Sequence, residues 1–141
     1  MDQVARSLCI GSLVVALSGV GALAGPCEDN FRQEGVPLVT AITFRTSQSF
    51  ASIPPARALD RLARAVQAEG FVGMRVERDL GSITAFQETT GSGREQMLRV
   101  VVRAAGRGSR VDAVFSIQQG QVAAEGHVRP AMCRVVSAAA G

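Results

Sequence analysis

The sequence has no tryptophan, no tyrosine and no lysine; all 15 basic residues are arginine, and histidine occurs once, at His127. Each shortage excludes something. Without indole or phenol rings the chain lacks the platforms on which unpaired bases and sugar faces usually stack, which argues against nucleic acid and carbohydrate as ligands. One imidazole excludes a His-rich metal site and leaves one candidate for histidine acid–base chemistry. Three cysteines in 141 residues are too few for a disulfide-dense mini-protein. Charged residues make up 19% and hydrophobic ones 47%, a balance that excludes a chain held disordered by low hydrophobicity and high net charge. The net charge of +3 is modest for a nucleic-acid-binding domain.

What is present begins with a long uncharged run over residues 7–27, preceded by Asp2 and Arg6. Near its end Ala22-Leu23-Ala24 has the small-x-small form of a signal-peptidase site. The run predicts a signal peptide over residues 1–24 and a mature chain in the periplasm or outside the cell. Two alternatives stay open. Roughly 20 apolar residues can span a bilayer, so the segment could be retained as an anchor, although Gly11, Ser12, Ser18, Gly19 and Gly21 dilute it. A lipoprotein box would end in cysteine, but Pro26 stands between Leu23-Ala24-Gly25 and Cys27. Membrane contact is expected only if the segment is retained or Cys27 is acylated. Cys9 would leave with the peptide, so Cys27 and Cys133 remain, and in an oxidising compartment they read as one disulfide.

Residues 25–35 are polar and unperiodic and read as a leader to a single domain over 36–141. A strand is expected within 38–50, where Ile42 and Phe44 alternate with threonines. Pro54-Pro55 then opens the clearest helix, with Leu59, Leu62, Ala63 and Val66 on one stripe and Arg57, Arg61 and Arg64 on the wet side. Asp60 is placed to pair with Arg64 one turn on, and Gly70 closes the helix. Four alternating stretches follow, over 71–79, 82–88, 94–105 and 111–117, separated by Leu80-Gly81, by 89–93 and by the turn 106–109. Pro130 is expected to start a short terminal helix over 131–138. This order predicts an α+β domain: an antiparallel sheet of about four to five strands, one amphipathic helix on one face and a short C-terminal helix. In element order and export signal, residues 38–118 resemble the small helix-on-sheet domains of bacterial envelope lipoproteins. The resemblance implies a fold and a location and assigns no functional residue.

Few residues point to chemistry. His127 lies in Glu125-Gly126-His127-Val128-Arg129, read as a solvated loop; a base oriented by Glu125 is the functional alternative, but no nucleophile is marked beside it. Thr90-Gly91-Ser92-Gly93-Arg94 lacks the Gly-Lys-Ser/Thr ending of a phosphate loop and precedes a strand, so it reads as a plain connection. Glu77, Asp79 and Glu88 could chelate a cation, but Arg75 and Arg78 stand among them, as on a solvated face. No metal ligand set, catalytic residue or cofactor is therefore assigned. The arginines are the remaining feature. Arg99 and Arg103 share one face of the longest strand, with Arg94, Arg107 and Arg110 near its ends. Converging, they would bind carboxylate or phosphate groups bidentately; dispersed, they are the soluble side of a one-sided sheet. The sequence thus leads to a non-catalytic exported domain that binds an envelope protein partner or serves a structural role. A module for an anionic ligand, such as a lipid head group or an acidic polymer, is the alternative.

Overall fold

Six strands pair into one antiparallel sheet. The computed structural model describes residues 25–88 and 94–141; the expected signal peptide and the connection 89–93 lie outside the described residues. In chain order the elements are α1 (Pro26–Asp29), β1 (Arg32–Glu34), β2 (Ile42–Phe50), α2 (Pro55–Ala68), β3 (Val72–Glu77), β4 (Ser82–Glu88), β5 (Glu95–Ala105), β6 (Gly108–Ile117) and α3 (Glu125–Ser137), with a final 3-10 turn at Ala138–Ala140. The strands lie in the order β1-β2-β6-β5-β4-β3. Sequential hairpins build β3 to β6, and β2 adds beside β6 by the crossover through α2.

Register decides which side chains meet. Phe44, Phe115, Leu98 and Ala85 form one row across β2, β6, β5 and β4, and Thr46, Ala113, Val100 and Ile83 form the next. Both rows are buried, because α2 and α3 cover this inner face. The predicted stripe of α2 is the part that packs: Leu59, Leu62 and Val66 are buried with Ala58. At an apolar transfer energy of about 25 cal/mol per Å², each such side chain contributes roughly 1.5–3 kcal/mol. A chain of rings, Phe31, Phe44, Phe115 and Phe71, crosses the layer with centroids 5.9, 6.2 and 6.1 Å apart. Gly108 starts β6 where any Cβ would lie 1.8 Å from the Phe50 carbonyl oxygen, so only glycine fits beneath β2.

The structure corrects the expected fold in four places. The sheet has six strands, not four to five; the extra one, β1, comes from the polar segment 25–35 and pairs Arg32, Gln33 and Glu34 with Arg45, Phe44 and Thr43. All three β1 residues are exposed, so no hydrophobic alternation announces the strand. The last helix begins at Glu125 rather than after Pro130 and is 13 residues long, with Pro130 in its interior and His127 in its first turn. Val128, Met132, Cys133, Val135 and Val136 bury along it, and this packing outweighs the lost hydrogen bond at proline. Asp60 pairs with Arg78 at 2.7 Å across to the β3–β4 turn, not with Arg64. Arg61 is not on a free wet face, since its guanidinium donates to the carbonyls of Ala139 and Ala140 at 2.9 and 2.8 Å.

The expected disulfide is present. Cys27 in α1 and Cys133 in α3 are bonded, with Cα atoms 5.6 Å apart, and both are buried. Thr46 Oγ1 on β2 donates to the Cys27 carbonyl at 2.6 Å, so bridge, leader and sheet meet at one point. The bond is compatible with an oxidising compartment. No helix among the described residues is long and apolar enough to cross a membrane.

Candidate functional site

At one end of the inner face two glutamines stand where the alternation calls for apolar residues. Along β4 the inward positions run Ile83, Ala85, Gln87, and along β5 they run Gln96, Leu98, Val100; Gln87 and Gln96 are cross-strand partners at the same end of the sheet. Here the layers separate, and a cavity of about 250 Å³ opens between the sheet and α3. Leu98 and Phe115 form its floor, Val128, Ala131, Met132 and Val135 of α3 its roof, and Phe71 its side wall. Phe71 stands edge-on to Phe115, which fixes the corner between floor and wall.

Few polar groups reach this space. Gln96 is 8% exposed and lines the cavity, yet its amide makes no hydrogen bond to any other described residue. Glu69, just past α2, also lines it but is held by Arg134 in a bidentate pair, Nε to Oε1 at 2.7 Å and Nη2 to Oε2 at 2.9 Å. The hydrogen bond from Arg134 to Glu69, reinforced by the opposite charge, raises the guanidinium above its already high ordinary pKa. Arg134 is therefore a cation at every pH the fold experiences, and the pair brings no net charge to the opening. His127 is exposed at the rim. Its expected orienter, Glu125, is paired with Arg129, which in turn lies 4.9 Å over the Phe31 ring. Among the lining residues there is no hydroxyl or thiol to act as nucleophile. Such a chamber can shelter an apolar body and offer the Gln96 amide to a polar group on it.

The predicted site residues lie elsewhere. Arg94 precedes β5 and donates to the Gln119 carbonyl at 2.8 Å, while Arg107 sits in the turn at the opposite end of that strand. Arg103 and Arg110 are cross-strand partners on the outer face and share Asp112 at 2.6 and 3.1 Å. Arg99 lies on the same face, opposite Val114 and Thr84, with no ion pair to a described residue. The structure brings Arg103 and Arg110 together and leaves the five dispersed. Of the possible chelators, Glu77 and Glu88 lie near opposite ends of the β4 ladder, opposite Ser82 and Glu95 respectively. Thr90 to Gly93 fall outside the described residues. Cys27, Glu28 and Cys133 approach within 4.8 Å of one another, but both sulfurs are spent on the disulfide. Sequence reading missed the cavity. The available signal was the pair of glutamines at inward positions of two otherwise apolar strands.

No protein-family model matches the sequence, and no curated protein matches it either. Among solved structures, the chain is similar to Ara h 8.0201, with a TM-score of 0.47 and 10% identity over 70% of this chain and 94% of the other. It is likewise similar to CalU16 from Micromonospora echinospora, with a TM-score of 0.48 and 9% identity over 77% and 83% of the respective chains.

Proposed function

We propose that this protein is a non-catalytic, exported binding domain whose ligand is a small, largely apolar molecule carrying one uncharged polar group. The observation that supports the reading is the Gln96 amide, without a hydrogen-bond partner among the described residues, on the wall of a largely apolar cavity. The amide keeps a little solvent contact, and a ligand hydroxyl or carbonyl that takes the place of that water forms a sheltered hydrogen bond worth about 0.5–1.5 kcal/mol net. The cavity is just below the range of about 300–1,000 Å³ usual for ligand sites, which suits a compact ligand or one end of a longer chain. A neutral ligand is favoured because Glu69 and Arg134 cancel each other at the opening. Export follows from the signal-like run over 1–24, and the buried disulfide fits an oxidising destination.

The test is a titration of the oxidised protein with N-phenylnaphthylamine, a neutral apolar probe that fluoresces when sheltered, followed by displacement with decanol. Saturable binding should be lost in Ala131→Phe, which fills the chamber from the roof. Gln96→Leu should keep the probe but weaken displacement by decanol about tenfold, the equivalent of one hydrogen bond of about 1.4 kcal/mol. Probe binding untouched by Ala131→Phe would place the apolar site elsewhere and end this reading.

A further inference from the structure

The two edges of the sheet are unequal. β1 closes one side with three residues, whereas β3 presents six, all exposed or half-buried, and no described residue pairs with its outward edge. Pairing with β4 sets the side each residue takes: Arg75, opposite Thr84, and Glu77, opposite Ser82, belong to the outer face, and Val76, opposite Ile83, to the inner one. Arg75 makes no ion pair with any described residue, and Glu77 accepts only a hydrogen bond from Ser82 Oγ at 3.1 Å. Near the two ends of this segment lie two of the most exposed large apolar side chains of the molecule, Val72 at 60% and Leu80 at 68%.

We propose that the β3 edge binds a second copy of this chain, antiparallel about a two-fold axis at Val76, joining the two sheets into one. In a two-fold antiparallel pair each residue faces the one equally far on the other side of the axis. Arg75 of each copy then faces Glu77 of the other, and Val76 meets its own equivalent. Opposite charges meet twice, each a stabilising cross-strand pair. Neighbouring registers are penalised. An axis at Arg75 sets arginine against arginine, and one at Glu77 sets glutamate against glutamate. A shift of one residue turns the partner's helix-covered face to the opposite side. Charges on an edge strand ordinarily discourage pairing with other chains; here their spacing favours this register, the one in which Arg75 and Glu77 meet twice. Gly73, at φ +58 within the register shift between Val72 and Arg75, keeps the regular stretch short. The contact falls below the roughly 1,200–2,000 Å² of a permanent interface, so the dimer is reversible.

Sedimentation velocity on the disulfide-bonded protein over a concentration series tests this. The weight-average mass should climb from that of one chain toward that of two. Arg75→Glu and Glu77→Arg should each raise the concentration needed by about tenfold, since symmetry alters two pairs per dimer. The double variant Arg75→Glu/Glu77→Arg should return to within about threefold of the parent, because the swap restores both pairs. Far-ultraviolet circular dichroism should be the same for all four proteins. A monomer at every concentration, association indifferent to the single reversals, or a double variant no better than the singles would each overturn the proposal.

Discussion

Arg61 occupies the side of α2 that its sequence marks as wet, yet it ties that helix to the end of the chain. Spacing on a helix tells which residues face away from the core; it does not tell what another element brings to them. The carbonyls of Ala139 and Ala140 arrive from 78 and 79 residues downstream, a distance no local pattern encodes. Arg61→Ala should therefore cost about 1 kcal/mol, the order of a partly exposed hydrogen-bonded charge. Arg64→Ala, on an exposed position of the same helix, should stay within about 0.5 kcal/mol. Urea melts of the two variants should separate by that margin, and coincident curves would refute the role given to Arg61. Ser109 is the converse case. Its hydroxyl is fully buried and has no hydrogen-bond partner among the described residues. Ser109→Ala removes a buried polar group without opening much space and should leave the midpoint unchanged or raise stability by up to about 1 kcal/mol. A clear loss would mean the hydroxyl has a partner.

At the scale of elements, legibility follows the hydrophobic signal. α2 and the hairpins β3 to β6 were readable because their apolar residues recur at the period of the structure they form: Leu62 and Val66 on the helix, Leu98, Val100 and Val102 on β5. β1 was not, because a three-residue edge strand buries nothing and is held by backbone pairing and the exposed Glu34–Arg45 ion pair. α3 is hard to read for another reason. Pro130 carries a strong local preference for a helix start, and only packing with the sheet and α1 overrides it. The pairing of Cys27 with Cys133 was inferred from export and cysteine count, and it joins the least legible elements, α1 and α3. The bridge spans 106 residues, and closing a loop of about 100 residues in the unfolded chain is worth up to roughly 4.7 kcal/mol. Cys27→Ser/Cys133→Ser should lower the melting temperature well beyond Arg61→Ala. An unchanged melting temperature would show that other contacts hold α1 and α3 in place.

For the whole molecule, the two faces of the sheet have separate characters. The outer face is crossed by bands set by register: Val72, Phe86 and Met97 in one, Arg75, Arg99 and Arg45 in the next, Glu77 and Asp112 in the third. The arginine band lies beside an acidic one, and Arg103 and Arg110 share Asp112, so the arginines conspicuous in the sequence are spread across the face rather than gathered at one point. The inner face is largely apolar and covered, and the cavity opens at the end where Gln87 and Gln96 replace hydrophobic residues. The cavity was illegible because it is a gap between elements distant in sequence, and its one local trace, two glutamines, is ordinary for exposed strand positions.

Methionine methyl groups report both faces at once. Met132 lies in the cavity roof, and Met97 and Met74 lie outside the cavity lining. In a carbon-13 methyl spectrum of the oxidised protein titrated with decanol, Met132 should shift saturably while Met97 and Met74 stay still. A shift at Met97 with none at Met132 would contradict the cavity as the binding site, and no saturable shift at any of the three would contradict binding itself.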